Sequence, residues 1–73
     1  MDEQALKAIL LKENAEFRRV HEDHQACDKA LEALRAKSHP SPADADRERE
    51  LKKKKLALKD RMYRLMADYL RTR

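Results

Sequence analysis

The chain has 73 residues, 44% of them charged and 41% hydrophobic, with no glycine and a net charge of +4. That length allows one domain, residues 1–73, and chains this short rarely bury enough core to stand without a disulfide, a metal or association. The single cysteine, Cys27, excludes an intrachain disulfide and fits a reducing compartment, while the lack of glycine excludes glycine-rich phosphate loops and the nucleophile elbow of the serine hydrolases.

From Leu6 the apolar residues recur in heptad steps: Leu6, Leu10, Phe17, Val20, Cys27, Leu31 and Leu34, with Glu13 and His24 as polar members of the same line. Alternating steps of four and three keep one stripe of a helix facing a partner. The pattern predicts a first helix over about residues 3–37, roughly 50 Å long at 1.5 Å per residue.

Ser38-His39-Pro40-Ser41-Pro42 ends that helix, since two prolines within three residues do not continue one. The turn is expected at 38–41. Ser41 can cap the next helix, Pro42 suits its first position, and Asp44 stands where a capping box needs an acceptor.

A second helix is predicted over about residues 42–71. From Leu51 it is amphipathic along two lines: Leu51, Leu58, Met62, Leu65 and Tyr69 on one, Leu56, Tyr63, Met66 and Leu70 on the other. Together they span about half the circumference at 100° per residue, wider than one partner helix covers. The expected fold is all-α: an antiparallel two-helix hairpin that associates into a coiled-coil-like helical bundle. Its seam would be formed by Leu10, Phe17, Val20, His24, Cys27, Leu51, Leu58, Met62, Leu65 and Tyr69. Leu56, Tyr63, Met66 and Leu70, with Leu31 and Leu34 opposite the apolar-poor first turns of the second helix, would form an oligomer interface.

Two segments resemble a known family. Lys53, Leu56, Leu58, Lys59 and Asp60 form a K-x-x-L-x-L-K-D pattern, and upstream stands Glu16-Phe17-Arg18-Arg19-Val20 followed by His24, similar to an E-F-R-R-L-x-x-x-H segment with valine in place of its leucine. Over roughly Leu11 to Met62 the chain resembles the YdcH family of small bacterial helical proteins, a domain of unknown function. The resemblance implies a short helical bacterial protein of the cytoplasm and brings no catalytic residues with it.

Charge is uneven. Residues 1–40 hold 7 basic and 8 acidic side chains, residues 41–73 hold 11 and 6. Lys52, Lys53, Lys54, Lys55, Arg61 and Arg64 make the second helix a candidate polyanion contact through counterion release. Against that, four consecutive lysines fan around a helix, acidic residues are interleaved, and no aromatic platform is clearly poised to stack bases. His21, His24 and Cys27 are spaced H-x-x-H-x-x-C, but successive steps of three diverge around the helix and a closed zinc site needs four ligands, so no metal is expected. His24 is better placed as a polar layer of the seam. No cofactor and no catalytic group are expected, since two helices offer no evident concave pocket. No apolar run approaches the ~18 residues of a membrane span, and the acidic start Met1-Asp2-Glu3-Gln4 is unlike a secretory signal. The function expected is a non-enzymatic interaction or assembly module in the cytoplasm. It would self-associate through the second helix, most simply as a dimer, and could also take an unidentified protein partner. The alternative is a nucleic-acid-binding hairpin using the basic face.

Overall fold

The computed structural model describes residues 2–72, and the described residues form three helices: α1 (Glu3–Glu13), α2 (Ala15–Arg35) and α3 (Pro42–Arg71). Where the heptad pattern predicts one helix over 3–37, the chain breaks at Asn14. The architecture is therefore all-helical with a third element, and the two-helix reading is corrected at this residue. Asn14 takes an extended conformation (φ −119°, ψ 108°) and serves both neighbours. Its backbone N–H donates to the Leu10 carbonyl at 2.8 Å, closing α1. Its side-chain oxygen accepts from the Phe17 N–H at 3.0 Å, capping α2. Arg18 then turns its guanidinium onto the Leu11 and Lys12 carbonyls, at 3.0 and 3.4 Å, which a helix end otherwise leaves unpaired. The break also keeps Glu13 exposed, where a straight helix would carry it along the seam line.

The other caps follow the sequence closely. Asp2 accepts from the Ala5 N–H at 2.7 Å. At the start of α3, Ser41 Oγ accepts from the Asp44 N–H at 3.1 Å and Asp44 returns the bond to the Ser41 N–H at 3.0 Å, a complete capping box with Pro42 in the first turn. Lys37 Nζ pairs with the same carboxylate at 3.0 Å, so the turn is fastened from both sides.

α2 and α3 run antiparallel. Glu16 meets Arg61, Asp28 meets Lys55 and Arg35 meets Glu48, so the partner number falls as the residue number rises. The molecule is a rod of 49 × 20 × 16 Å, its length set by α3 at about 45 Å. α1 doubles back along it. Glu3 and Glu16, thirteen positions apart, contact Tyr63 and Arg61, only two apart on α3. The core lies where the three helices meet: Leu6 and Leu10 from α1, Phe17 from α2, and Met62, Leu65 and Met66 from α3, with Leu11, Val20 and Tyr69 packed against them. Phe17 is wholly buried. Toward the turn, Cys27 and Leu31 are buried separately from this cluster.

Candidate association surface

Of the expected seam, Leu10, Phe17, Cys27, Met62 and Leu65 are buried, and Val20, His24, Leu51, Leu58 and Tyr69 are half-buried. Of the expected oligomer interface, two residues, Met66 and Leu31, are buried within the chain. Met66 is covered within the chain, because α1 supplies the side chains that the two-helix reading assigned to a second copy. Leu31 is only 2% exposed, and Leu34 is half-buried. The hairpin tip is thus better covered than its apolar pattern suggests.

Leu56, Tyr63 and Leu70 remain, at 61%, 43% and 51% exposure the exposed large apolar side chains of the described residues. They stand seven apart on α3. At 100° per residue each step of seven turns the helix by about −20°, so the three make one slowly winding line. Isolated exposed apolar residues are ordinary, whereas these three share one face of the helix. Tyr63 keeps a polar handle at its end, its hydroxyl donating to Glu3 Oε1 at 3.1 Å. Beside Leu56 a groove of about 230 Å³ opens between α2 and α3, lined by Leu31, Arg35, Lys52, Lys55, Leu56 and Lys59. On the opposite side a groove of about 200 Å³ runs over Cys27 between Ala26 and Ala30 on α2 and Arg47, Leu51 and Lys54 on α3, with Asp23 at its edge.

The candidate polyanion contacts divide. Lys52 is paired with Glu48 at 3.4 Å, Lys55 with Asp28, and Arg61 with Glu16 through Nε at 2.9 Å. Lys53, Lys54 and Arg64 are exposed and have no ion-pair partner among the described residues. Lys53 and Arg64 lie about 20° apart around α3, whereas Lys54 is about 100° from Lys53, so the lysine run does not form one patch. The paired carboxylates are held below their ordinary range by their partners: Asp28 chiefly by the Lys55 hydrogen bond, Glu48 by Arg35 and then Lys52, Glu3 by Lys7 and then Tyr63, and Asp44 by the Ser41 backbone N–H.

His24 lies 3.8 Å from Asp28 with its side chain 18% exposed. Burial pushes its pKa below 6.5, with Lys55, His21 and Lys59 acting the same way and Asp28 opposing them. Among the described residues no three His, Cys, Asp or Glu side chains gather as metal ligands, and no helix is long and apolar enough to cross a membrane.

Sequence reasoning missed Asn14, Arg18 and the docking role of α1. A signal was present: Asn14 followed by Glu16 is a helix cap with an acidic first turn, and Lys12 before it suits a last turn. The unbroken heptad spacing outweighed it.

These features describe a small, all-helical protein with an apolar stripe along its longest helix. Residues 17–66 match the family model described as "Protein of unknown function (DUF465)". The chain belongs to that family, the match covering all but the first two residues of α2, the turn and most of α3 and leaving out α1. No curated protein and no solved structure matches the chain.

Proposed function

We propose that the protein is a non-enzymatic interaction module that self-associates through α3, most simply as a coiled-coil-like dimer that completes a helical bundle. The observation that carries this reading is the heptad spacing of Leu56, Tyr63 and Leu70, all exposed on one line of α3. Burying the exposed part of each leucine is worth about 1–2 kcal/mol. A small domain has only a few kcal/mol of net stability, so such a stripe is a strong incentive to associate. Stripe-to-stripe packing of two α3 helices would follow heptad geometry, with Lys52, Lys59 and Asp60 along its margins. The resemblance to the YdcH family supports a bacterial, cytoplasmic setting, and the single cysteine is consistent with it.

Sedimentation equilibrium across concentration tests the reading. The native chain should show a reversible dimer, and Leu56→Lys or Leu70→Lys should weaken it with helicity retained. A native chain that stays monomeric at high micromolar concentration overturns it.

A second reading rests on Lys53 and Arg64, cations without an ion-pair partner among the described residues that share the outer face of α3. They suit weak, salt-dependent contact with a nucleic-acid backbone. A nuclease-resistant protein partner recovered from the native cell would favour the first reading. Loss of all co-purifying material on nuclease treatment would favour the second.

A further inference from the structure

We propose that α1 is an exchangeable element: the seat it occupies on α3 is also filled by the α1 of a second copy of this chain, with Asn14 as the hinge.

The local balance at the break comes first. In the folded-back form three hydrogen bonds satisfy the interrupted backbone: the Asn14 side chain on the Phe17 N–H, and Arg18 on the Leu11 and Lys12 carbonyls. A straight helix would replace them with three others, from the N–H groups of Ala15, Glu16 and Phe17 to the carbonyls of Leu11, Lys12 and Glu13. Neither proline nor glycine enforces the bend, and Asn14 has no positive φ. The hinge is therefore close to neutral in hydrogen bonding, and the position of α1 is decided by where Leu6 and Leu10 are buried.

Their heptad phase continues into α2, through Leu6, Leu10, Glu13, Phe17 and Val20. The sequence is thus compatible with both a bent and a straight α1–α2. An eleven-residue helix is marginal by itself in water, so a released α1 keeps its helicity best by continuing α2. Straightening carries Leu6 to the far end of its own α3, opposite Arg71, because α2 and α3 already pair Glu16 with Arg61. It also withdraws Leu6 and Leu10 from the cluster they form with Met62, Leu65 and Met66. A second copy in the same state presents the same empty seat and the same displaced helix, so each deficit is met by the other chain. Such exchange re-forms the native packing between chains and is a low-cost route to a dimer. At low concentration the closed form prevails, since its seat is filled intramolecularly and Glu13 remains in solvent. This association does not use the exposed stripe of α3 and survives its loss.

The experiment is done in a Leu56→Lys, Leu70→Lys background, which takes both leucines out of the stripe. Asn14→Ala deletes the cap and favours a continuous helix; Asn14→Gly tolerates the cap position and disfavours a continuous helix. Because two hinges straighten per dimer, Asn14→Ala should raise the dimerisation constant about tenfold or more, and Asn14→Gly should lower it. In a refolded mixture of isotope-labelled and unlabelled Asn14→Ala chains, filtered NMR should place Leu10 methyls of one chain against the Met66 methyl of the other. Dimers in which that proximity is only intramolecular overturn the proposal, as does a folded Asn14→Ala that stays monomeric at high micromolar concentration. Should Asn14→Ala fail to fold, equal dimerisation of the Asn14 and Asn14→Gly chains overturns it as well.

Discussion

The hydroxyl of Tyr63 donates to the Glu3 carboxylate at 3.1 Å, joining α1 to α3 across sixty positions of sequence. The bond lies at the rim of the core that Leu6 and Leu10 form with Met62 and Met66, and Lys7 holds the same carboxylate from within α1 at 3.3 Å. It orients α1, while Leu6 and Leu10 supply the burial. It also withdraws the polar end of Tyr63, leaving the ring to contribute apolar surface to the stripe.

Tyr63→Phe separates these roles. It removes the tether and keeps the ring. Amide hydrogen exchange in α1 should quicken, while exchange at Phe17 and through the middle of α3 stays as it was. Association through the stripe should persist. Uniform quickening across all three helices would show that the tether supports the whole fold.

The buried Leu31 gives a second contrast. At 2% exposure it should behave as core although it stands near the turn. Leu31→Ala should cost roughly 2–5 kcal/mol in urea unfolding, the range for truncated core leucines. Leu70→Ala, at 51% exposure, should change the stability of the dilute monomer by about 0.5 kcal/mol or less. Equal costs would mean that Leu70 is covered in the dilute state too.

Most of the helical architecture was legible in the sequence because its signals are local. Ser41, Pro42 and Asp44 encode a cap within four residues, and α3 begins where they place it. The phase of Phe17, Met62 and Leu65 likewise points them inward. The fold-back of α1 was not legible, since a heptad pattern records which face is apolar and not whether the helix stays straight. Leu6 and Leu10 satisfy the same pattern either way, and the only local marks of the bend are the cap at Asn14 and Arg18 reaching back seven residues, while the burial of Leu6 and Leu10 decides where α1 lies. The broad apolar arc of α3 was read as a hairpin seam plus an interface with a second copy. Met66, assigned there to the second copy, is instead covered by the chain's own α1, and Leu56, Tyr63 and Leu70 stay exposed as a narrower stripe.

The outer cations make a third prediction. Lys53→Gln with Arg64→Gln should leave the melting temperature almost unchanged, because neither is paired among the described residues and exposed charges contribute little. If a nucleic-acid backbone is the ligand, affinity and its dependence on salt should fall together, the slope of log K against log salt by about one for each phosphate that is no longer neutralised. Retention on immobilised RNA over a salt series reads both. An unchanged slope removes these residues from any polyanion interface.

The last prediction concerns pH and His24. Burial lowers its pKa in the folded chain relative to the unfolded one, aided by the cations Lys55 and Lys59 and by His21, and opposed by Asp28. The neutral ring is therefore the form the fold prefers. Between the lowered value and the ordinary value near 6.5, the unfolded chain binds more protons than the folded one, so stability rises with pH across that window. The contribution is fully present above about 6.5 and is lost as pH falls through the lowered folded value. Urea midpoints measured from neutral pH to about pH 5, above the titration of ordinary carboxylates, should decline for the native chain. His24→Gln, which cannot take up a proton, should flatten that decline. Asp28→Asn, which removes the one opposing charge among these neighbours, should steepen it. A midpoint independent of pH in the native chain, or the same decline in His24→Gln, would show that His24 does not couple protonation to folding.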